Sequence, residues 1–169
     1  MRISRISGPP RPAATVDRWC AEFERRCRAT GLRVTPQRLA VYRALAEDAS
    51  HPTADGVYAA VRRRLPGFSR ATVYRVLDSL EREHLIRRVS TPQGVARFDA
   101  NVDHHQHLVC RVCGTMIDVS VPALADATPP TIDVPGFVVE RLDVRLVGRC
   151  GGCRRGGKRG AGRASGRTR

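Results

Sequence analysis

The sequence predicts an α+β fold, in which an N-terminal winged helix-turn-helix domain precedes a small α/β domain with a structural four-cysteine zinc site. Three observations lead to this prediction. Apolar residues recur at helical spacing in segments between residues 16 and 83, two short strand-like segments follow them, and two Cys-x-x-Cys pairs lie further along the chain. Helices followed by a two-stranded ribbon are the element order of a winged helix.

Basic residues dominate the charge of the chain. Its 169 residues include 30 Lys and Arg against 16 Asp and Glu, a formal net charge of +14, which favours a polyanionic partner, nucleic acid before membrane. Residues 1–15 and 154–169 are basic and contain no acid, and we interpret them as a flexible arm and a disordered tail. Composition leaves open whether the tail binds DNA or only solubilises the chain. Without an apolar run of roughly 18 residues or a secretory signal, we expect a cytoplasmic protein.

Four amphipathic helices are predicted between these two ends. The first covers about 16–29, and Gly31 ends it. Thr35-Pro36 supplies an N-cap followed by proline at the first helical position, so it begins the second helix. Thr53 caps the third helix, which Pro66-Gly67 breaks, and Ser69 caps the fourth.

The fourth helix, over 69–83, is the element predicted to read DNA. Its apolar residues share one face, and the polar side chains on or near its exposed N-terminal part are Arg70, Thr72, Tyr74 and Arg75. Segments 85–89 and 95–98 are predicted as the two strands of the wing. In this arrangement the helix enters the major groove and the ribbon touches the DNA backbone. The alternative, a helical core that only exposes arginines, does not account for their position beside a basic wing.

The sequence pattern changes near residue 99. We therefore place the winged-helix domain at residues 16–98 and a second, metal-binding domain at residues 99–153. Segments 106–111, 115–119 and 137–147 are predicted as strands of this second domain, with a weak helix near 122–128.

Cysteine spacing predicts a metal site in the second domain. Cys110/Cys113 and Cys150/Cys153 are two Cys-x-x-Cys pairs, each able to hold one side of a tetrahedral ion. Four thiolates leave zinc no open position for water, so such a site is structural. An iron–sulfur cluster is the competing interpretation.

Histidine and aspartate residues predict a second, different metal site. Three histidines occupy residues 104–107, between Asp99 and Asp118. His105 and His107 alternate along a predicted strand, so their rings share one face. Imidazole and carboxylate ligands suit a divalent ion such as iron, manganese, zinc or nickel. An exchangeable site separate from a structural one is typical of a sensor.

These segments together resemble the ferric uptake regulator (Fur) family over residues 16–153. The resemblance lies in GLRVTPQR (31–38), HPTAD (51–55), ATVYRVL (71–77), RFD (97–99), the His/Cys stretch from 104 to 118, and the last cysteine pair. It implies a homodimeric, metal-dependent repressor that binds double-stranded operator DNA with inverted-repeat half-sites. It also implies that Arg33 reaches the minor groove.

The resemblance assigns the ligands of the sensing metal, Fe²⁺ or Mn²⁺, and adds His51, which spacing alone does not reveal. By position they are His51, Asp99, His105, His107 and Asp118. Asp99, where iron-sensing members commonly have glutamate, is similar to the peroxide-sensing branch. In that branch bound ferrous iron reacts with hydrogen peroxide and a ligand histidine is oxidised, here His51 or His105. A metal-homeostasis regulator of the same fold, sensing iron, zinc, manganese or nickel, is the alternative.

Other classes of function fit the sequence less well. A zinc deaminase needs a His-x-Glu and a Pro-Cys-x-x-Cys motif, and the chain has neither, so we do not expect an enzyme. A single-stranded nucleic acid binder needs aromatic stacking platforms, and aromatic residues make up only 5% of the chain.

Overall fold

The computed structural model describes residues 10–92, 94–103, 105–121, 124, 128, 132, 134–139 and 142–155. Its elements in chain order are α1 (Ala13–Ala29), α2 (Pro36–Glu47), α3 (Ala54–Arg64), α4 (Arg70–Arg82), β1 (Arg87–Ser90), β2 (Ala96–Asp99), β3 (Gln106–Cys110), β4 (Met116–Val119), β5 (Arg145–Gly148) and α5 (Gly151–Arg155). None of the described helices is long and apolar enough to cross a membrane.

The three predicted N-caps are confirmed. The side-chain oxygens of Thr35, Thr53 and Ser69 each accept a hydrogen bond from a backbone N–H in the first turn of α2, α3 and α4. Each such bond satisfies a helix N–H that has no partner within the helix. Gly31 follows α1 with a φ of +73°, a conformation that costs glycine little.

Helix α1 begins at Ala13, three residues earlier than predicted. The backbone N–H groups of Thr15 and Val16 donate to the carbonyl of Pro12, so Ala13 and Ala14, both strong helix formers, belong to the first turn. The prediction of a flexible arm is therefore wrong for its last three residues. Residues 1–9 lie outside the described part of the chain.

The four helices pack around one apolar core. Phe23 of α1 stacks on Tyr42 of α2 with ring centroids 4.1 Å apart. The inward face predicted for α4 is confirmed, because Val73, Leu77 and Leu80 are all buried. Burying one such side chain stabilises the fold by about 1.5–3 kcal/mol.

The wing begins two residues later than predicted. Leu85 and Ile86 are not strand residues but pack into the helical core, and the N–H of Leu85 donates to the carbonyl of Leu80 at the end of α4. Strands β1 and β2 pair antiparallel, with Arg87 opposite Asp99. The boundary predicted between residues 98 and 99 therefore falls inside β2, and the division into domains stays a prediction.

A three-stranded sheet in the order β4-β3-β5 forms the second part of the molecule. Strand β3 pairs antiparallel with β4 and parallel with β5. The strand predicted over 137–147 is wrong for residues 137–139 and 142–144, since among the described residues only Arg145–Gly148 pairs with β3. Of the helix predicted near 122–128, only residues 124 and 128 lie within the described chain.

The wing and the second sheet share a small apolar contact. Val89 of β1 is buried together with Val109 of β3 and Met116 of β4. Arg145 of β5 also donates to the carbonyl of Ser90, 2.7 Å away. These contacts hold the end of the wing against the sheet that carries the histidines.

Candidate metal centres and recognition helix

The four cysteines of the two Cys-x-x-Cys pairs lie together. Strand β3 ends at Cys110, Cys113 follows in a turn closed by Gly114 (φ +69°), and the second pair lies at α5. The Sγ atoms of Cys113 and Cys150 are 3.7 Å apart, and all four cysteines are free. Tetrahedral zinc with bonds of about 2.3 Å places its sulfur ligands about 3.8 Å apart. The arrangement therefore fits a closed zinc site.

Backbone N–H groups at this site stabilise the thiolate form of Cys110. Burial opposes ionisation of Cys110, but N–H groups of Cys150, Cys113 and Val112 lower the pKa of its thiol to about 6. The N–H of Cys150 lies 3.4 Å from that sulfur. By contrast, hydrogen bonds with neighbouring sulfurs raise the pKa of Cys153 to about 12. A divalent cation bound among the four sulfurs favours the thiolate form of all four cysteines.

Five histidine and aspartate side chains converge at a second point. His51 precedes α3, Asp99 ends β2, and the other three, His105, His107 and Asp118, belong to the β3 and β4 region. One ligand atom from each lies within 4.8 Å of every other. His51 Nε2 is 2.7 Å from Asp118 Oδ1, and His105 Nε2 is 2.9 Å from Asp99 Oδ2. Ligands about 2.0–2.2 Å from one ion have separations of this size.

The backbone around His51 is held in an unusual conformation. His51 has a φ of 55°, a left-handed value that costs a non-glycine residue about 1–2 kcal/mol. Arg97 of β2 donates to the carbonyl of His51 at 2.8 Å, and the N–H of Phe98 donates to the carbonyl of Pro52 at 3.0 Å. Strand β2 thus fixes the turn that presents His51 and also supplies Asp99.

Local hydrogen bonds orient the other ligands. The N–H of Asn101 donates to Asp99 Oδ1, which leaves Oδ2 facing the histidines. His105 Nδ1 is 2.9 Å from the carbonyl of Asp103. A proton on Nδ1 can therefore be donated to that carbonyl, which leaves Nε2 free to bind a metal ion. His107 and Asp118 are direct partners across β3 and β4, which places both side chains on one face.

Several atoms of this cluster are buried without a hydrogen bond. Within the described chain they include His51 Nε2, Asp99 Oδ2 and Asp118 Oδ1. An unpaired buried polar atom costs about 1–3 kcal/mol, so these three atoms, of which His51 Nε2 and Asp118 Oδ1 are only 2.7 Å apart, need either protons on the imidazoles or a shared cation. A shared divalent ion satisfies all three, and the donor set fits iron or manganese.

Four of the five predicted DNA-reading residues are exposed. Arg70, Tyr74 and Arg75 are exposed on α4, and Thr72 is partly buried, with its hydroxyl 2.8 Å from Ser69 Oγ. Arg33 is exposed in the loop before α2. Asp55 of α3 contacts both Arg70 and Tyr74, at 3.2 Å each.

The sequence model of the ferric uptake regulator family matches residues 29–147 of this chain. That range contains most of the helical core, the complete His/Asp cluster and the first cysteine pair. The chain belongs to the ferric uptake regulator family.

Individual relatives within the family are also similar. The peroxide operon regulator of Bacillus subtilis (strain 168) is 34% identical over 124 residues, which cover 73% of this chain and 86% of that protein. The manganese-containing ferric uptake regulator of Pseudomonas aeruginosa aligns with a TM-score of 0.61 and 28% identity, covering 76% of this chain and 97% of that one. The Campylobacter jejuni peroxide stress regulator aligns with a TM-score of 0.54 and 26% identity, covering 75% and 95%.

The charges within the His/Asp cluster indicate that a bound cation would displace protons from its histidines. Burial disfavours a charged imidazole, but the carboxylates of Asp118 and Asp99 raise the pKa of His51 to about 9 and that of His105 to about 10. Burial likewise disfavours ionised carboxylates, yet the adjacent histidines hold the pKa of Asp99 and of Asp118 well below the usual range. At neutral pH the metal-free Fur-family site therefore carries two imidazolium rings and two carboxylates.

Metal binding is expected to release about two protons per ion near pH 7. Because both raised histidine pKa values lie above 7, protons compete with the metal below about pH 9, and affinity rises with pH by up to about 100-fold per unit. Mn²⁺ titrations at pH 6.5, 7.0 and 7.5 measure this slope. Affinity that does not change over this range contradicts the electrostatic description.

The Arg75→Ala substitution is expected to reduce operator affinity by about 1–3 kcal/mol. It is also expected to relax the preference for the operator sequence, because contacts to base edges carry specificity. Arg75 is exposed and has no ion-pair partner among the described residues, so its guanidinium is available to a base. Fluorescence anisotropy with operator and scrambled duplexes measures both effects. Arg18→Ala, which removes an exposed arginine from α1, is the matched control. Equal losses on both duplexes would instead indicate a phosphate contact.

Sequence reasoning did not identify three residues that hold the candidate sites in place. Arg97 fixes the His51 turn, Asp55 contacts Arg70 and Tyr74 of α4, and Arg11 contacts Asp118. Arg97 and Asp55 fall inside segments that carry the family resemblance, which was a usable signal. Arg11 falls in a segment without any pattern.

Proposed function

We propose that this protein is a metal-dependent DNA-binding repressor that senses hydrogen peroxide through its His/Asp site. The observation that carries the proposal is the convergence of His51 and Asp99, from the winged-helix part, with three ligands of the second sheet. Similarity to a peroxide operon regulator over most of the chain supports it. Such a regulator acts on DNA in the cytoplasm.

The two clusters have different tasks in this proposal. Cys110, Cys113, Cys150 and Cys153 hold a structural zinc ion and thereby stabilise the second sheet. The His/Asp cluster holds Fe²⁺ or Mn²⁺ as the regulatory ion, since imidazole with carboxylate is a harder donor set than four thiolates. The manganese in the similar Pseudomonas aeruginosa regulator is consistent with this assignment.

The regulatory cluster couples metal binding to DNA binding because its ligands come from both parts of the chain. When His51 and Asp99 share an ion with Asp118, one placement of the winged helix relative to the second sheet is favoured. In a homodimer that placement sets the distance between the two recognition helices, and only one distance fits inverted half-sites on DNA. Metal and operator therefore strengthen each other's binding reciprocally.

Oxidation of a ligand histidine breaks this coupling. Bound ferrous iron would activate hydrogen peroxide by one-electron reduction, so that one peroxide oxygen is added to an adjacent imidazole and the other leaves as water. His51 and Asp99 are the two of these five residues that come from the winged-helix part, so loss of the His51 Nε2 donor leaves Asp99 alone to connect the two parts of the site. The chain itself is consumed in this reaction, one oxidation per site, so the protein is a sensor and not an enzyme.

A metal-homeostasis regulator is the second candidate function. The observation that favours it is the donor set, which also accepts zinc, manganese or nickel, together with the fold shared with a ferric uptake regulator at 28% identity. In that case metal concentration alone controls operator binding, and peroxide has no specific effect.

Peroxide treatment of iron-loaded and manganese-loaded protein separates the two functions. In the iron form we expect one added oxygen on peptides containing His51 or His105, with parallel loss of operator binding. The manganese form is the control and is expected to keep its mass and its DNA. Asp99→Glu is expected to keep metal-dependent DNA binding but to blunt the peroxide response, since the longer carboxylate changes the geometry around the ion. Iron-loaded protein that remains unoxidised and DNA-bound would leave metal homeostasis as the function.

A further inference from the structure

Arg11 lies between the two halves of the regulatory site. Its Nη1 donates to the carbonyls of Ala46, at 3.0 Å, and Asp48, at 3.2 Å, where α2 ends. Its Nη2 lies 3.4 Å from Asp118 Oδ2, and the guanidinium carbon is 4.6 Å from the ring centroid of Trp19. Only 11% of the Arg11 side chain is exposed. The side chain of this residue of the basic N-terminal segment is thus largely buried.

The Arg11 contacts connect ligands from opposite sides of the cluster. The carbonyls that accept its hydrogen bonds belong to the end of α2, and the chain runs from Asp48 directly to His51. Asp118 uses its two oxygens differently: Oδ1 lies 2.7 Å from His51 Nε2, whereas Oδ2 contacts Arg11. Arg11 therefore holds the carboxylate by the oxygen that does not face the histidines.

We propose that Arg11 is a positioning residue of the regulatory metal site, which sets the orientation of Asp118 relative to the segment carrying His51. This inference rests on the proposed regulatory role of the His/Asp cluster. Partners that hydrogen-bond a ligating carboxylate orient it, and their loss typically lowers metal affinity by about 10–100-fold. Arginine suits the task because its planar group has five donors and can bond a carboxylate and two carbonyls at once.

Lysine is a poor substitute in this geometry. An ammonium group keeps the charge but has a single nitrogen, which cannot lie at the end of α2 and at Asp118 with the same spread of donors. The guanidinium also lies over the ring of Trp19, and this contact restricts the orientation of its plane. The Arg11→Lys variant therefore separates the contribution of charge from that of geometry.

The experiment measures Mn²⁺ affinity of the full-length, zinc-loaded protein in the absence of DNA. We expect Arg11→Met to weaken Mn²⁺ binding at least 10-fold and Arg11→Lys to restore only part of it. Arg18→Met is the matched control, because Arg18 is an exposed arginine of α1, and it is expected to bind Mn²⁺ like the wild type. Adding Arg11→Met to Asp118→Ala is expected to cause little further loss, since both changes act on one ligand.

Two further readouts distinguish positioning from general destabilisation. The visible absorption of Co²⁺ bound at the His/Asp cluster reports ligand geometry and is expected to change in Arg11→Met, while zinc content stays the same. If Arg11→Met does not fold, Arg11→Lys supplies the same test. Affinity and Co²⁺ spectrum equal to the wild type, or tighter Mn²⁺ binding, would overturn the inference.

The outcomes also separate this inference from the function on which it rests. Wild-type protein that does not bind Mn²⁺, or an Asp118→Ala variant that binds it as tightly, would overturn the regulatory site and the role of Arg11 together. A wild type that binds Mn²⁺ and an Asp118→Ala variant that loses it, with Arg11→Met unaffected, would overturn only the role of Arg11.

Discussion

Replacing His107 with alanine is expected to abolish metal-dependent DNA binding, so that operator affinity in Mn²⁺ falls to that of the metal-free protein. His107 is 2% exposed, and its Nε2 lies 3.0 Å from His105 Nε2 and 3.5 Å from Asp99 Oδ2. Removal of this nitrogen takes away a central donor, and alanine leaves a cavity in its place. Coupling between two sites is typically worth 1–3 kcal/mol, so the expected loss is about 5–150-fold.

Fluorescence anisotropy with and without Mn²⁺ measures this loss. His84→Asn is the control, because His84 is exposed outside the cluster and asparagine tolerates its φ of 54°. The zinc content of His107→Ala is expected to stay at the wild-type value, since the four cysteines form a separate site. A His107→Ala protein that Mn²⁺ still activates would exclude His107 as a ligand.

Replacing Cys110 with serine is expected to release zinc, unfold the second sheet and dissociate the dimer. Cys110 is 4% exposed, and its sulfur accepts the N–H of Cys150, which connects β3 to α5. The apolar contact of Val89, Val109 and Met116 is too small to hold this sheet without the metal. Binding of a structural zinc ion contributes directly to the free energy of folding.

Zinc analysis, thermal unfolding and size-exclusion chromatography detect the three effects. Cys20→Ala is the control: Cys20 is a buried thiol of α1 in the helical core, so its loss lowers stability without removing zinc. A zinc-free Cys110→Ser protein that remains a stable dimer and binds DNA would disprove the structural role of the site.

Elements specified by local chemistry could be predicted from the sequence. The caps at Thr35, Thr53 and Ser69 were predictable because a hydroxyl bonds a backbone N–H three residues away. The start of α1 was missed although local chemistry specifies it, whereas the errors in the strands occurred where packing against other elements decides the conformation. Leu85 and Ile86 have the composition of a strand but pack into the helical core, and residues 137–139 and 142–144 precede the segment that pairs with β3.

The two candidate metal sites were predictable to different degrees for the same reason. Cys-x-x-Cys places two ligands on one turn, so spacing alone identified four of them. His105 and His107 alternate along the chain and were also visible. His51 is distant in sequence, and only family resemblance assigned it to the cluster.

The sequence by itself determined the order of helices and strands, the caps, the cysteine pairs and the basic character of the chain. These follow from interactions within a few residues, or from composition. Only the tertiary structure decided that Arg11 contacts Asp118, that Arg97 fixes the turn at His51, and that Asp55 meets the recognition helix. Each is a contact between elements that no local periodicity encodes, because it depends on how helices and sheets pack against one another.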